Sequence, residues 1–176
     1  MREHAPELES QGETLKMEII KKVETFVQSL LEYDAAKIIT SRKNFDRLNT
    51  KDDLIVIDNL FNTPIGRFNT YDGTLEEPTQ TLTTRFSGQF SISFYGDNAL
   101  QNALEFQNLL LSEQAFEIQS EHGIKVFLTS THNNLRIQDG TTWNNLYQCD
   151  FKVQYDESFE LITEPIETAQ LTFINN

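Results

Sequence analysis

Hydrophobic residues recur in this chain at two periods, and the switch between them is sharpest over residues 89–110, QFSISFYGDNALQNALEFQNLL. Phe90, Ile92 and Phe94 alternate with Gln89, Ser91, Ser93 and Tyr95, the period of a strand. At Gly96-Asp97-Asn98 the spacing lengthens. Ala99, Leu100, Ala103, Leu104, Leu110 and Leu111 then recur every three or four residues. That spacing predicts a helix over residues 98–112, capped by Asp97 or Asn98. Before Phe90, the residues Leu82, Thr84 and Phe86 continue the alternation. One strand is therefore predicted over residues 81–95, about 50 Å long and longer than usual. Gly88 interrupts its apolar face and marks a bulge or a close backbone approach.

The same reading extends to the rest of the chain. Residues 1–12 are polar and aperiodic, and are expected to form a flexible acidic amino-terminal arm. Residues 13–176 are expected to form a single domain. Leu15, Ile19, Val23, Phe26, Val27, Leu30 and Leu31 predict a helix over residues 13–33, with Glu18 and Lys22 as an i,i+4 pair outside the stripe. Short and buried strands are predicted at residues 37–40 and 52–61. Residues 62–80, rich in Thr, Asn, Gly and Pro, are either a long loop or a protruding hairpin with Asp72-Gly73 as its turn signal. A second short helix is predicted over residues 113–121, closed by Gly123, and a strand over residues 124–130. A loop is predicted over residues 133–142. Trp143, Tyr147, Cys149, Phe151, Val153 and Tyr155 alternate with polar residues and predict one further strand, and a last strand is predicted over residues 168–174. Strands and helices do not strictly alternate. The fold class is therefore α+β, a mixed and largely antiparallel sheet with helices packed on one face and a long extended strand or hairpin.

Charge narrows the function. The chain has 176 residues and a formal net charge of −13. Residues 1–85 hold 11 of the 14 Lys and Arg, whereas residues 86–176 hold three basic and 12 acidic residues. Such a chain is not suited to grip nucleic acid or an anionic membrane passively. A single cysteine, Cys149, rules out an internal disulfide and suits a reducing compartment. No run is apolar enough to serve as a signal sequence or a membrane span, so cytoplasmic synthesis is expected.

Candidate chemistry is sparse. His4, His122 and His132 have no ligand spacing, and no zinc, phosphate-loop, dinucleotide or nucleophile-elbow motif occurs. Cys149 lies on the apolar side of its strand and reads as a small core residue. The acidic neighbours Asp52-Asp53, Glu76-Glu77 and Asp156-Glu157 read as solvated edges rather than acid–base pairs. No catalytic residue, cofactor or metal is expected. The basic residues Arg42, Lys43, Arg47 and Lys51 read either as a solvated loop or as a contact with nucleic acid or an acidic partner patch.

The stretch FSISFYGDNALQNALEFQNLLLSE, followed by a short strand and then LRIQDGTTWNNLYQCDFKVQYD, resembles the neck or tail-terminator proteins of tailed bacteriophages. The positions that carry the resemblance are Tyr95, Gly96, Asn98, Ala99, Arg136, Trp143, Gln154 and Tyr155, within residues 80–174. It implies a non-enzymatic virion protein, made in the host cytoplasm. The protein would form a homo-oligomeric ring, usually a hexamer, at the head-proximal end of the tail. Its partners would be the tail tube protein and the head connector or stopper protein, with DNA passing through the bore without tight binding and no membrane involved. Arg42, Lys43, Arg47, Arg67 and Tyr71 are the candidate subunit or partner contacts. The competing reading is a non-catalytic protein-binding or assembly-chaperone module acting as a monomer or dimer.

Overall fold

The alternating run that ends at Tyr95 occupies the middle of a six-stranded sheet. The structure, a computed structural model, describes residues 5–40, 53–73, 78–135, 137–139 and 142–162. In chain order these form helix α1 (Ala5–Leu31), a 3-10 turn (Ala35–Lys37), β1 (Ile38–Thr40), β2 (Leu54–Gly73), β3 (Pro78–Tyr95), α2 (Ala99–Leu109), α3 (Glu113–Glu121), β4 (Ile124–Leu128), β5 (Asn133–Asn134), β6 (Ile137–Asp139), β7 (Thr142–Asn144) and β8 (Leu146–Ile162). The main sheet has the order β1-β2-β3-β8-β4, with β5 also on β8, while β6 and β7 form a separate pair. β1 runs parallel to β2, and β4 and β5 run antiparallel to β8. The α+β class follows as expected. No helix of the described residues is long and apolar enough to cross a membrane.

The chain forms two compact units, one from Met1–Thr63 with Ser87–Tyr155, the other from Pro64–Phe86 with Asp156–Asn176. The first holds the apolar core. Ile19, Val23, Phe26, Val27 and Leu30 of α1 are buried at helical spacing. Glu18 pairs with Lys22 at 3.3 Å, outside that stripe. Phe90 stacks on Phe151 with ring centroids 5.6 Å apart, and Phe106 of α2 meets Phe94 and Phe151 at 5.9 and 5.8 Å. Each such pair contributes about 0.5–1.5 kcal/mol beyond its buried area. Alternate residues of the same strands form a second cluster of Leu54, Val56, Tyr95 and Leu146, joined by Ile39. β2 and β3 are thus buried on both faces here, and Ser91 is inside because Gln148 Nε2 donates to its Oγ at 2.6 Å.

The strand-to-helix junction rests on one carboxylate. Gly96 has φ +96°. A Cβ at Gly96 would stand 2.8 Å from both Cα and N of Asp53. Asp53 Oδ1 accepts from the Asn98 backbone N–H at 3.0 Å, and Oδ2 accepts from Asn98 Nδ2 at 2.7 Å. Asn98 occupies the cap position of α2 but makes no side-chain capping bond. Its amide is engaged by Asp53. Gly88 is the close approach its sequence position suggested, since a Cβ there would meet a Phe90 ring carbon at 2.8 Å and Asn62 Oδ1 at 2.5 Å.

Four elements depart from the sequence reading. α1 begins at Ala5 rather than residue 13, with Pro6 in its first turn, where a missing N–H costs nothing. β2 continues past residue 61 to Gly73, because the Thr- and Asn-rich run finds its backbone partners on β3; of the two readings of residues 62–80, hairpin and loop, the hairpin is the one seen. On α2 the buried stripe is Ala99, Ala103 and Phe106, while Leu100 and Leu104 are exposed. Trp143 lies on β7, paired with Gln138, and β8 starts at Leu146; the predicted loop 133–142 contains β5, β6 and the start of β7. The predicted strand 168–174 lies outside the described residues.

Replacing Gly96 by alanine should lower stability by about 1–3 kcal/mol, because the residue is held at positive φ against a neighbouring backbone. Urea denaturation of the purified variant checks this. An unchanged midpoint would show that the junction relaxes freely.

Candidate interaction surface

The second unit is a ribbon built from the far parts of β2 and β3 and from β8 beyond Tyr155. Its cross-strand side chains fix the register. Tyr71 accepts from Gln80 Nε2 at 3.2 Å. Thr83 and Ser158 share a hydroxyl–hydroxyl bond of 2.8 Å. Arg85 donates through Nε and Nη2 to the two carboxylate oxygens of Asp156, each at 2.7 Å. Along β8 the residue number falls as it rises along β3, so the two run antiparallel. The bidentate bond and charge of Asp156 hold the Arg85 guanidinium above its ordinary pKa.

Among its described residues this unit buries no apolar side chain. Among its described side chains, Thr83 and Thr84 are the buried ones. Ile65, Phe68, Tyr71 and Phe159 are exposed, Tyr71 to 72%. Their β-branched or aromatic character suits a strand, and β3 supplies the ladder partner.

Of the residues singled out in the sequence, Arg67 and Tyr71 both lie on β2 in this unit and both are exposed. Arg42, Lys43 and Arg47 lie outside the described residues. The Arg85–Asp156 pair was missed, because it joins residues 71 apart in sequence and becomes visible only when β3 pairs with β8. Asp53 and Asp156, read as members of solvated acidic edges, are instead anchored carboxylates.

The other candidates for chemistry have structural employment. Burial, with the nearby charge of Asp150, pushes the Cys149 thiol up to about 12, against a smaller opposing bond from Gln107. It is a protonated core thiol at neutral pH and not a nucleophile. His132 sits beside Gln107 Oε1 at 3.3 Å, and His122 ends α3. A groove of about 650 Å³ runs between α2, α3 and β4, lined by residues including Leu110, Leu111, Phe116, Gln119 and Phe127. Lys125 is its sole titratable side chain, so it offers no acid–base pair. Among the described residues, no group of three or more His, Cys, Asp or Glu is placed to hold a metal ion.

Residues 17–176 match the family described as phage neck terminator protein, a span that takes in parts of both units. No curated protein matches the chain.

The raised Cys149 pKa makes alkaline stability testable. The unfolded thiol ionises near its ordinary value of about 8.5, whereas the folded thiol does so only at about 12. Stability contributed by this group is therefore complete below pH 8.5 and is lost as pH rises toward 12. Cys149→Ala should flatten that part of the pH–stability curve. Fast reaction of the folded protein with a thiol reagent at pH 8 would contradict the buried, protonated assignment.

Proposed function

Because the chain belongs to the phage neck terminator proteins, a structural component of the phage neck, we propose that it assembles into a closed ring, of six copies, at the head-proximal end of the tail. There the ring ends polymerisation of the tail tube and joins the tail to the head connector or stopper protein. The family match over residues 17–176 is the observation that carries this reading. The two units serve as a single terminator domain, since the match includes residues from each. The ribbon gives the proposal a physical means. Its exposed Arg67 and Tyr71, together with Arg42, Lys43 and Arg47, supply the contacts to neighbouring copies or to the tube.

Charge fits the passage of DNA. At −13 per copy, a ring presents a surface that repels phosphate, so duplex DNA slides through the bore unbound. No catalytic role is assigned, and no cofactor is required. Assembly takes place in the host cytoplasm and ends in the virion.

The mass of the purified protein, by light scattering across a concentration series, should show a ring. A chain that stays monomeric or dimeric at high concentration favours the assembly-chaperone reading instead. Reversing Arg42, Lys43 and Arg47 to Glu should abolish assembly and leave DNA binding weak. Tight, salt-sensitive DNA binding by the unaltered chain, lost on that reversal, would make this a nucleic-acid module and overturn the assignment.

A further inference from the structure

The groove between α2, α3 and β4 is built from residues of the first unit alone, and it is open in the single copy. Of the residues that line it, Leu111 is 82% exposed and Phe116 60%, and Phe127 and Leu128 of β4 are exposed as well. Its volume of about 650 Å³ is that of a binding cleft rather than a packing fault.

One polar group in its wall is unfinished. Gln119 is only 6% exposed, and its Oε1 accepts the Val126 N–H at 2.8 Å, which ties α3 to β4. Its Nε2 is buried and has no acceptor. A buried donor without a partner is costly, and a peptide carbonyl entering the groove satisfies it.

Charge states what else the occupant carries. Residues 97–121, which span α2 and α3, contain five acidic side chains and no Lys or Arg. Glu113 and Glu117 stand one turn apart on α3, and each is three residues from a residue of the groove wall, Phe116 and Ser120. Both carboxylates are exposed, and neither has an ion-pair partner among the described residues. Lys125 is the one opposing charge on the lining.

We infer that the basic segment of residues 41–52 from a neighbouring copy docks in this groove, with Phe45 and Leu48 against Leu111 and Phe116 and with Arg42, Lys43 and Arg47 beside Glu113 and Glu117. The inference rests on the ring reading above and names the surface that receives its basic residues.

Three properties select this segment. It sets Arg42, Lys43, Arg47 and Lys51 against Asp46 and Asp52, a balance opposite in sign to that of the two helices. It carries two large apolar side chains, Phe45 and Leu48, close together in the chain. Its anchors are the third property. The segment leaves β1 and returns to the start of β2, at the end of the order β1-β2-β3-β8-β4 opposite to β4. Four strand spacings, about 19 Å, separate β1 from β4. Twelve residues fixed at both ends extend about 20 Å, so the segment reaches β4 of its own copy only at full stretch and cannot run along its own groove. The same extension carries it into the groove of a copy set beside it. Each copy then gives a segment at one end of its sheet and receives one at the other. Such a contact joins two different patches, and a rotation closes the series as a ring.

The test compares the unaltered chain with three variants: Glu113→Lys with Glu117→Lys, Arg42→Glu with Arg47→Glu, and all four changes together. Phe116→Ser tests the apolar part. Circular dichroism verifies folding and light scattering measures mass. Either charge pair, and Phe116→Ser, should raise the concentration needed for assembly by roughly tenfold or more, since the contact repeats around the ring. The fourfold change should restore assembly. In a Cys149→Ala background, Arg47→Cys with Glu117→Cys should give oxidised ladders between copies, which neither cysteine gives alone. If the unaltered chain never forms a ring, the ring reading fails and this docking fails with it. A ring indifferent to these changes and without cross-links overturns only the docking. A disulfide confined to one copy would place the segment in its own groove and overturn it. If removal of residues 163–176 weakens assembly as Phe116→Ser does while the Arg42 and Arg47 changes have no effect, the groove holds the carboxy-terminal segment instead, and the docking is again overturned.

Discussion

The meeting of Gly96 with Asp53 is the contact on which the first unit depends. Without a side chain at Gly96, the chain leaves β3 at positive φ and turns directly beside the start of β2. Asp53 then takes both the backbone and the side-chain N–H of Asn98, which fixes the direction in which α2 departs. That direction brings Phe106 onto Phe94 and Phe151 and so sets the aromatic core. Tyr33, two residues past the end of α1, lies in the field of the same carboxylate. Burial raises the pKa of the Tyr33 phenol, and the Asp53 charge adds to it, with Asn102 of α2 opposing. One carboxylate thus bears on the start of β2, on α2 and on Tyr33.

What the sequence shows of this arrangement follows from how local each cause is. The change of period at Gly96, the helix over residues 113–121 and the alternation from Tyr147 to Tyr155 are set by neighbours in the chain, and all three were legible. The stripe on α2 was not. Ala99, Ala103 and Phe106 share one helical face, while Leu100 and Leu104 share the face beside it. Both sets have helical spacing. The stripe that goes inside is the one that carries Phe106 onto the rings of Phe94 and Phe151, and the small Ala99 and Ala103 are buried with it, so neither spacing nor hydrophobicity separates the two faces. The extent of β2 was hidden for a different reason. Its outer residues have loop-like composition, and only their ladder with β3 makes them a strand.

The candidate surface was legible in part. Arg67 and Tyr71 could be picked out as a cation and an aromatic residue in a segment too polar to build a core, and both are exposed. The Arg85–Asp156 pair could not, because it joins β3 to β8 across 71 residues, a property of the strand order and of no sequence window.

An open strand edge is also a hazard, since its backbone groups will pair with almost any extended chain. The ribbon carries features that restrict this. Pro64 has no N–H to offer and Gly66 no side chain to pack, and they stand next to Arg67 on the same strand. A stray strand meets an interrupted ladder followed by a positive charge.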